Sequence, residues 1–233
     1  MSTIDYRVEQ KYLVSDWDLT LIAARLKAIM PQDDHQEGDC YEVRSIYLDD
    51  YWNTCMDENE DGVDGRKKYR IRTYDTPNAA LRLEIKEKYR GYTKKTACDL
   101  DRESYDKLLS GGLEFSDDPV KNAVLLQMRC RKLEPKIAVV YQRTAFTHPM
   151  GNVRITFDRN IMVSRELDSF FDPHVSGLIP VLPAGMHILE IKYDELLPEF
   201  IFRQLEMGKL RQTAFSKYYL GRLAVNGTFL IDK

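Results

Sequence analysis

Six short stretches of this sequence place charged residues at every second position, among residues that favour β-strands. The stretches are Arg7/Glu9/Lys11, Lys68/Arg70/Arg72, Glu84/Lys86/Lys88, Tyr141/Arg143, Arg154/Thr156/Asp158 and Glu190/Lys192. Because successive side chains of a strand point to opposite faces, each strand has one charged face and one apolar face. Guanidinium and ammonium groups bind phosphate, and carboxylates bind hard divalent cations. The pattern therefore predicts a β-structure built around a phosphate-rich ligand.

The alternative interpretation is that these charges face solvent, as in any half-exposed antiparallel strand. On one strand face, Arg70 and Arg72 would lie about 7 Å apart, with a repulsion of roughly 2 kcal/mol at an effective dielectric constant near 20. If several such faces point inward, a polyanion and interspersed carboxylates are needed to offset that repulsion. The recurrence of tight Arg and Lys pairs with Glu two residues away favours the inward-facing site.

The length suits one large domain or two small ones, and because all-β barrels of this size commonly form a single domain we expect one domain over residues 1–233. The chain has 233 residues, of which 43% are hydrophobic and 11% aromatic, enough to bury a sizeable core. Its net charge is only −3, so we expect no nucleic-acid partner. The cationic residues are concentrated in a few segments instead, which favours a compact anion as the ligand.

The cysteines and the hydropathy pattern indicate the compartment. Cys40, Cys55, Cys98 and Cys130 are widely spaced and include no C-x-x-C pair, which argues against a zinc site or a disulfide framework. The sequence contains no signal-like apolar region and no apolar stretch long enough for a membrane span. We therefore expect a soluble, cytoplasmic protein without membrane insertion.

Local signals predict the elements that position the charged residues. Ser15 and Asp18 form a helix-capping pair, and the helix ends before Pro31. Strands are expected near 41–48, 66–74, 80–89, 136–147, 153–158 and 187–195, helices near 101–110 and 119–131, and two C-terminal helices broken near Gly208. Strict β-α alternation is missing, which predicts an α+β fold: an antiparallel β-barrel decorated by α-helices.

Motifs for other chemistries are missing from the sequence. Residues 91–96 do not have the spacing of a P-loop, and no dinucleotide-binding or nucleophile-elbow motif occurs. Residues 57–62 match the opening of a calcium loop, but Lys68 stands where its twelfth-position Glu is required. We interpret the acidic run 57–64 as a solvated connection, and the isolated histidines as structural or surface residues.

Many fixed cations, a few carboxylates and no evident nucleophile are typical of phosphoryl transfer. This chemistry depends on positioning, charge neutralisation and a divalent metal that bridges phosphate oxygens. Glu190, two residues before Lys192, is the first candidate to hold Mg²⁺ or Mn²⁺ through oxygen.

Seven short motifs follow one another along the chain: RVEQKY at 7–12, RSIYLD at 44–49, KYRIR at 68–72, LEIK at 83–86, YQR at 141–143, RITFD at 154–158 and LEIK at 189–192. This ordered set covers nearly the whole chain. It resembles the catalytic domain of the vacuolar transporter chaperone (VTC) polyphosphate polymerases, which belong to the CYTH-like triphosphate tunnel metalloenzymes. The set as a whole is much more specific than any one of its motifs.

The resemblance implies a tunnel-shaped antiparallel β-barrel and ATP–polyphosphate phosphotransferase activity, in which the γ-phosphoryl group of ATP moves onto a growing polyphosphate chain and ADP is released. Carried over motif by motif, the phosphate-binding catalytic residues are Lys11, Arg70, Arg72, Lys86, Arg143, Arg154 and Lys192. Further substrate-binding positions are Arg44, Lys94, Tyr141, Ser216 and Lys217. Glu190 is the expected ligand of Mn²⁺ or Mg²⁺, and Glu9 and Glu84 are the next carboxylates to consider.

Two departures from related enzymes qualify this assignment. Sister tunnel enzymes that hydrolyse triphosphate begin with E-x-E-x-K, whereas this chain has Arg7 at the first of those positions, which favours the polymerase branch. The sequence also contains no phosphate-sensing domain or membrane helices like those of the eukaryotic polymerase, so we expect release of the product into the same compartment unless a regulatory or membrane partner accepts it. Two alternatives stay open: a tripolyphosphatase or nucleoside triphosphatase, and a noncatalytic polyphosphate-binding subunit.

Overall fold

The structure is a computed structural model that describes residues 7–34, 36, 38–75, 80–90, 92–206 and 210–228. Its strands are β1 (Val8–Ser15), β2 (Tyr41–Asp49), β3 (Arg66–Tyr74), β4 (Leu81–Tyr89), β5 (Tyr92–Leu100), β6 (Glu134–His148), β7 (Val153–Ser164), β8 (Ile179–Pro180), β9 (Met186–Tyr193) and β10 (Arg211–Gln212). Its α-helices are α1 (Asp16–Lys27), α2 (Thr54–Glu60), α3 (Arg102–Ser110), α4 (Pro119–Arg131), α5 (Glu199–Leu205) and α6 (Lys217–Val225). In the described residues the strands belong to a ten-stranded antiparallel sheet. This combination confirms the α+β fold class predicted from the sequence.

The chain folds into two compact units. The first consists of Met1–Glu42, Tyr141–Ile161 and Leu182–Phe215, and the second of Val43–Val140, Met162–Val181 and Ser216–Lys233. The boundaries fall within β2, β6 and β7, so each of these strands contributes residues to both units. Each unit has its own charged residues and is described by itself below.

In the first unit the strand order is β10-β1-β9-β7-β6. One face of these strands is apolar, and its buried residues pack together with the apolar side of α1; they include Tyr12, Val14, Leu19, Ile22, Leu26, Ile155, Phe157, Leu189 and Ile191. Because side chains alternate along a strand, the charged residues lie on the other face. The register pairs Glu9 with Lys192 and Lys11 with Glu190, and it pairs Thr156 with Glu190 on the other side of β9.

In the second unit β2, β3, β4 and β5 follow one another in antiparallel order. Tyr69 and Ile71 of β3 are buried on one face. The alternate residues of β3 lie on the opposite face, where the register aligns Tyr47, Arg70 and Glu84 across three strands. Adjacent strands therefore place the charged motifs of the second unit side by side.

The helix ends confirm the predicted capping signals. Ser15 Oγ accepts a hydrogen bond from the backbone of Asp18, and the Asp18 carboxylate accepts one from the backbone of Ser15 at 2.9 Å. The carboxylate of Asp118 accepts hydrogen bonds from two backbone amides of the first turn of α4, which begins with Pro119. These contacts satisfy amides that have no partner within the helix.

Two local predictions were wrong. Residues 92–100, which include Lys94 and for which no strand was predicted, form strand β5, because pairing with β4 along its whole length supplies the backbone hydrogen bonds. The first half of the acidic run 57–64 belongs to helix α2, and only the second half of the run is a connection. The predicted helix break near Gly208 lies outside the described residues.

Among the described helices, none has the length and apolar character that a membrane crossing requires.

Candidate functional site

The second unit contains a buried group of charges that we call the cationic cluster: Arg70 and Arg72 of β3, Glu84 of β4 and Lys95 of β5. The Glu84 side chain is 1% exposed. Its Oε2 lies 2.5 Å from Arg70 Nε and 3.9 Å from Arg72 Nη1, and its Oε1 lies 2.5 Å from Lys95 Nζ. Three positive charges against one negative charge leave the cluster with an excess of two positive charges.

The pKa values of the cluster follow from this charge balance. Burial by itself would raise the pKa of Glu84, but Arg70, Arg72 and Lys95 outweigh burial and lower that pKa to about 2. The pKa of Lys95 is lowered, first by burial and further by the two arginines, although Glu84 opposes this shift. A lysine beside a carboxylate normally has a raised pKa, so the lowered value reflects both burial and repulsion from the arginines.

The lowered pKa values of two tyrosines next to the cluster indicate a positive electrostatic potential there. Burial would raise the pKa of the Tyr47 hydroxyl, yet Arg70, Arg72 and Lys217 lower it. Burial would likewise raise the pKa of Tyr74, which Arg72 lowers instead. Because a positive potential favours the ionised form of a phenol, this face of the sheet favours added negative charge.

Hydroxyl groups on neighbouring residues hold the two guanidinium groups in place. Arg70 Nη1 donates to Tyr47 Oη at 3.2 Å. Arg72 Nε donates to Ser45 Oγ at 3.3 Å, and its Nη1 donates to Tyr74 Oη at 3.5 Å. The β2–β3 register explains the first two contacts, since it places Tyr47 opposite Arg70 and Ser45 opposite Arg72. Neutral partners fix the arginines without cancelling the charge that an anion would use.

A row of three lysines crosses β3, β4 and β5 and includes Lys95 of the cluster. The strand registers place Lys68, Lys86 and Lys95 opposite one another on β3, β4 and β5. Lys68 Nζ donates to Ser216 Oγ at 2.8 Å, and Ser216 caps the helix α6 that begins with Lys217. The structure therefore places Lys86 opposite Lys68 on the face of β3 that carries Arg70 and Arg72, and it places Ser216, at the start of α6, in contact with Lys68.

The first unit contains a line of alternating charges that we call the charge ladder: Asp158, Arg143, Glu190, Lys192, Glu9 and Lys11. At one end, Arg143 donates to both carboxylate oxygens of Asp158, from Nε at 2.6 Å and from Nη2 at 2.8 Å. The same Nη2 lies 3.6 Å from Glu190 Oε2. Burial would lower the pKa of Arg143, but Asp158 raises it well above its ordinary value, so its charge is permanent.

The other end of the ladder connects β9 to β1. Lys192 Nζ lies 3.3 Å from Glu190 Oε1 and 4.0 Å from Glu9 Oε2. Lys11 Nζ lies 3.1 Å from Glu9 Oε1 and donates to the carbonyl oxygen of Phe215 at 2.9 Å. Each lysine thus lies between carboxylates or carbonyl oxygens contributed by neighbouring segments.

Two further predicted residues lie near the ladder. Arg154 donates to the Asp33 carboxylate through Nη1 and to Tyr41 Oη at 3.3 Å through Nη2. The ring centroid of Tyr141 lies 5.2 Å from Cζ of Arg143, within the range of a cation–π contact. The predicted phosphate-binding cations of the first unit therefore all have carboxylate partners, whereas the three cations of the cationic cluster all approach the same carboxylate, that of Glu84.

The carboxylates of the ladder fit a divalent cation better than Glu84 does. Glu190 and Glu9 both approach the ammonium group of Lys192, which marks a position favourable to positive charge. Thr156, opposite Glu190, has a buried hydroxyl with no hydrogen-bond partner among the described residues. One or two carboxylates completed by phosphate and water oxygens are the usual environment of Mg²⁺. In the described part of the chain, no three His, Cys, Asp or Glu side chains form a group that could hold a metal by themselves.

The structure places Lys95, rather than the predicted Lys94, in the cationic cluster. Lys94 is opposite Glu87 on the other face of the sheet, whereas Lys95 is opposite Lys86 on the charged face. The sequence pair Lys94-Lys95 necessarily points to both faces of a strand. Alternation alone did not reveal which lysine shares the face of Glu84, because that depends on the β4–β5 register.

Arg44 also lies apart from the predicted phosphate-binding residues. It alternates with Ser45 on β2, so its side chain is on the face opposite that of Arg72. Its guanidinium donates to the backbone carbonyls of Phe170, Asp172 and Pro173, at 2.8, 2.5 and 3.1 Å. These contacts anchor a neighbouring segment, and we leave Arg44 out of the proposed site.

Sequence reasoning missed several residues that contact the predicted site residues, and Tyr47, Lys95 and Asp33 are three of them. Tyr47 and Lys95 contact Arg70 and Glu84, and Asp33 neutralises Arg154. Alternation along β2 could have identified Tyr47, because it lies two residues from Ser45 and therefore on the same strand face. No sequence pattern could have identified Asp33, because it lies outside any strand and its pairing with Arg154 depends on the tertiary structure.

Comparison with solved structures defines the class of fold. A candidate adenylyl cyclase from Hippeastrum with a dominant triphosphatase activity aligns with 97% of this chain and 97% of its own, with a TM-score of 0.58 and 13% identity. A candidate adenylate cyclase from Bacillus halodurans covers 91% of this chain and 94% of its own, with a TM-score of 0.54 and 14% identity. At such low identity, the similarity shows a shared fold.

The sequence identifies the family. The VTC domain family matches residues 6–226, nearly the whole chain, and the chain therefore belongs to that family. This confirms the recognition made from the seven ordered motifs. Among curated proteins, no sequence match was found.

Proposed function

We propose that this protein is a metal-dependent polyphosphate polymerase that transfers the γ-phosphoryl group of ATP to the end of a polyphosphate chain. The observation that carries the proposal is the cationic cluster, in which Arg70, Arg72 and Lys95 surround the single carboxylate of Glu84. The three cations of the cluster and the lowered pKa of the adjacent Tyr47 favour a polyanionic ligand. Membership of the VTC family supports the choice of polyphosphate as that ligand.

The proposed phosphate-binding residues have different tasks. Arg70 and Arg72 are held by hydroxyl groups and would bind phosphate oxygens in pairs, as the planar guanidinium allows. Lys86 and Lys95 would act as point charges from the neighbouring strands. In the first unit, we propose the same role for Lys11, Arg143, Arg154 and Lys192. Tyr141 would flank the nucleotide, and Ser216 with Lys217 would hold the phosphate chain.

A divalent ion, Mn²⁺ or Mg²⁺, would be held by Glu190 and assisted by Glu9. Bound there, it would neutralise charge on the phosphate oxygens during transfer. Lys192 lies between the two carboxylates and would pair with whichever oxygen the ion leaves available. We leave Glu84 out of the metal site because three cations already engage its carboxylate.

In the proposed reaction, a terminal oxygen of the polyphosphate chain attacks the γ-phosphorus of ATP. The bond between that phosphorus and the β–γ bridging oxygen breaks, and the electron pair leaves with ADP. Phosphoryl transfer of this kind asks the protein for positioning and charge stabilisation more than for covalent chemistry. The fixed arginines and lysines meet that requirement.

Hydrolysis with water as the acceptor is the second candidate. It is favoured by the shared fold with a Hippeastrum protein that has a dominant triphosphatase activity. Arg7 weighs against it, because its Nε lies 3.1 Å from Asp194, and a cation therefore stands where the hydrolases carry a first carboxylate. A noncatalytic polyphosphate-binding subunit is the third candidate, which the carboxylates of the charge ladder disfavour.

Phosphorus NMR during incubation with ATP and Mn²⁺ tests the proposal. We expect signals of mid-chain phosphate that grow as ADP accumulates and that disappear when the metal is chelated. ADP with free phosphate alone would establish the hydrolase, and binding of ATP without turnover would establish the binding subunit. Pyrophosphate as the product would indicate a cyclase and contradict all three candidates.

We further propose that residues 1–233 act as one domain in the cytoplasm. The cysteines Cys40, Cys55, Cys98 and Cys130 are all free, as is usual in a reducing compartment. The two compact units share strands, so neither is expected to function without the other.

A further inference from the structure

The second unit contains a cavity on the face of β3 opposite the cationic cluster. Its volume is about 240 Å³, and it is lined by Glu58, Gly65, Lys67, Tyr69, Gln127 and Arg131. Lys67 and Tyr69 alternate with Lys68 and Arg70 along β3, which places the cavity on the other face of the strand. Helix α2 contributes Glu58, and helix α4 contributes Gln127 and Arg131. Three elements therefore converge on a pocket to which the proposed reaction assigns no role.

Several polar side chains that line this cavity make no hydrogen bond within the described part of the chain. Those of Glu58, Tyr69 and Gln127 make no hydrogen bond to any residue that the structure describes. Tyr69 is only 3% exposed, and burial raises the pKa of its hydroxyl to about 12. Polar groups in a concave site normally find hydrogen-bond partners, so this arrangement is typical of a site that a ligand completes.

The two cationic side chains that line the cavity, Lys67 and Arg131, leave some of their hydrogen-bond donors unused in the described part of the chain. The Lys67 ammonium lies 3.9 Å from the Glu87 carboxylate, beyond hydrogen-bonding distance. Arg131 donates to Asp50 from Nε at 3.1 Å and from Nη2 at 2.6 Å, which leaves Nη1 without a hydrogen bond in the described part of the chain. Asp50 thus orients the guanidinium, and its remaining donors can bind a further acceptor.

We propose that this cavity binds a small phosphomonoester that also carries hydroxyl groups. Lys67 and Arg131 can donate charge-assisted hydrogen bonds to the phosphate, and Asp50 already orients Arg131. Glu58 accepts a hydrogen bond from a ligand hydroxyl, and Gln127 can donate to the same oxygen. The cavity is smaller than the range of about 300–1,000 Å³ that is usual for drug-sized ligands, which restricts the ligand to a small metabolite.

The opening of the cavity is suited to ligand entry. Gly65 has a φ of +80°, and a Cβ atom at this position would have no heavy atom within 4 Å. Its amide donates to the carbonyl oxygen of Lys88 at 2.8 Å, so the turn is fixed while the space beside it stays open. Apart from Gly65, the residues that line the cavity lie on α2, β3 and α4, so regular secondary structure holds them in place.

Titration calorimetry with glycerol 3-phosphate tests the proposal. We expect binding to the parent protein, weakened about tenfold or more by Lys67→Ala and by Glu58→Gln, since each loses a hydrogen bond with a charged partner. Inorganic phosphate should bind more weakly than glycerol 3-phosphate, and Glu58→Gln should not weaken its binding, because the variant removes a negative charge that repels the anion. Thermal melting of both variants should match the parent, since the Lys67 side chain is 48% exposed.

Two control variants separate this cavity from the cationic cluster. Lys107→Ala removes an exposed lysine elsewhere in the same unit and should leave glycerol 3-phosphate binding unchanged. Arg72→Ala should weaken triphosphate binding but not glycerol 3-phosphate binding. Absence of binding, or binding that Arg72→Ala abolishes and Lys67→Ala does not change, would overturn the proposal. Equal affinity for inorganic phosphate and glycerol 3-phosphate would also overturn it, by making the cavity a simple anion site.

Discussion

The ammonium nitrogen of Lys95 lies 2.5 Å from Oε1 of Glu84, although the two residues are diagonal to each other on neighbouring strands. Glu84 is buried, and Arg70 already contacts its other oxygen. The contact with Lys95 therefore adds a third cation to the carboxylate. It leaves the cationic cluster with more positive charge than the charge ladder of the first unit, where each cation has a carboxylate partner.

Lys95→Ala should weaken binding of tripolyphosphate, whereas Lys94→Ala should not. The expected loss is about 1.5 kcal/mol, roughly tenfold in affinity, because the Lys95 side chain is 45% exposed and solvent screens part of its charge. Titration calorimetry of the two variants provides the comparison. A larger loss in Lys94→Ala would place the ligand on the opposite face of β5.

Glu84→Gln should destabilise the protein at neutral pH. The folded-state pKa of about 2 lies below the ordinary value of 4.5, so the ionised carboxylate stabilises the fold above pH 4.5, and this contribution is lost as the pH falls toward 2. The difference between the two values corresponds to about 3 kcal/mol. Urea unfolding at pH 7 should show a loss of that order in the variant.

The same variant gives a test of the sign of this effect. At pH 3.5 the stability difference between parent and Glu84→Gln should be smaller by about 1.4 kcal/mol than at pH 7, because part of the contribution of Glu84 has been lost in the parent. Glu103→Gln, at a carboxylate that is 79% exposed, is the matched control and should change little. A difference that is constant between the two pH values would show that the Glu84 pKa is not lowered.

Glu190→Gln should abolish metal-dependent turnover and leave the fold intact. A neutral amide is a poor ligand for a hard cation, and Arg143 keeps its bidentate partner Asp158 in the variant. Mn²⁺ titrations monitored by electron paramagnetic resonance should show weaker binding than in the parent. Glu9→Gln should have a smaller effect, and full activity of Glu190→Gln would exclude that carboxylate as the principal ligand.

Asp49→Asn should lower stability without changing the charges of the cationic cluster. The Asp49 carboxylate is fully buried and accepts hydrogen bonds from the amides of Asp50, Cys55 and Met56 and, at 2.5 Å, from the hydroxyl of Tyr218. The amide group of Asn turns one acceptor into a donor that faces other donors, at a cost of about 2–4 kcal/mol.

Chemical denaturation measures the effect of Asp49→Asn. Asp99→Asn, whose side chain is 84% exposed, serves as the control and should match the parent within about 0.5 kcal/mol. Equal stability of both variants would mean that the contacts of Asp49 do not hold β2, α2 and α6 together.

Local signals predicted most of the secondary structure. Contacts within a few residues fix helix ends, as at Ser15, Gly111 and Asp118, and the helices predicted near 101–110 and 119–131 agree with the structure. Strand β5 was missed because its sequence, YTKKTACDL, does not alternate apolar and polar residues. Its conformation depends on pairing with β4, which sequence-local signals do not describe.

The sequence by itself determined which residues share a strand face, and through the seven ordered motifs it also determined the family. Alternation is a local property of an extended backbone, which is why Arg70 and Arg72 were grouped correctly. Only the tertiary structure decided which charges meet across strands: Glu84 with Lys95, Arg143 with Asp158, and Arg154 with Asp33. These pairings depend on strand register and on segments distant in the chain, where a shift of one residue would move every side chain to the other face.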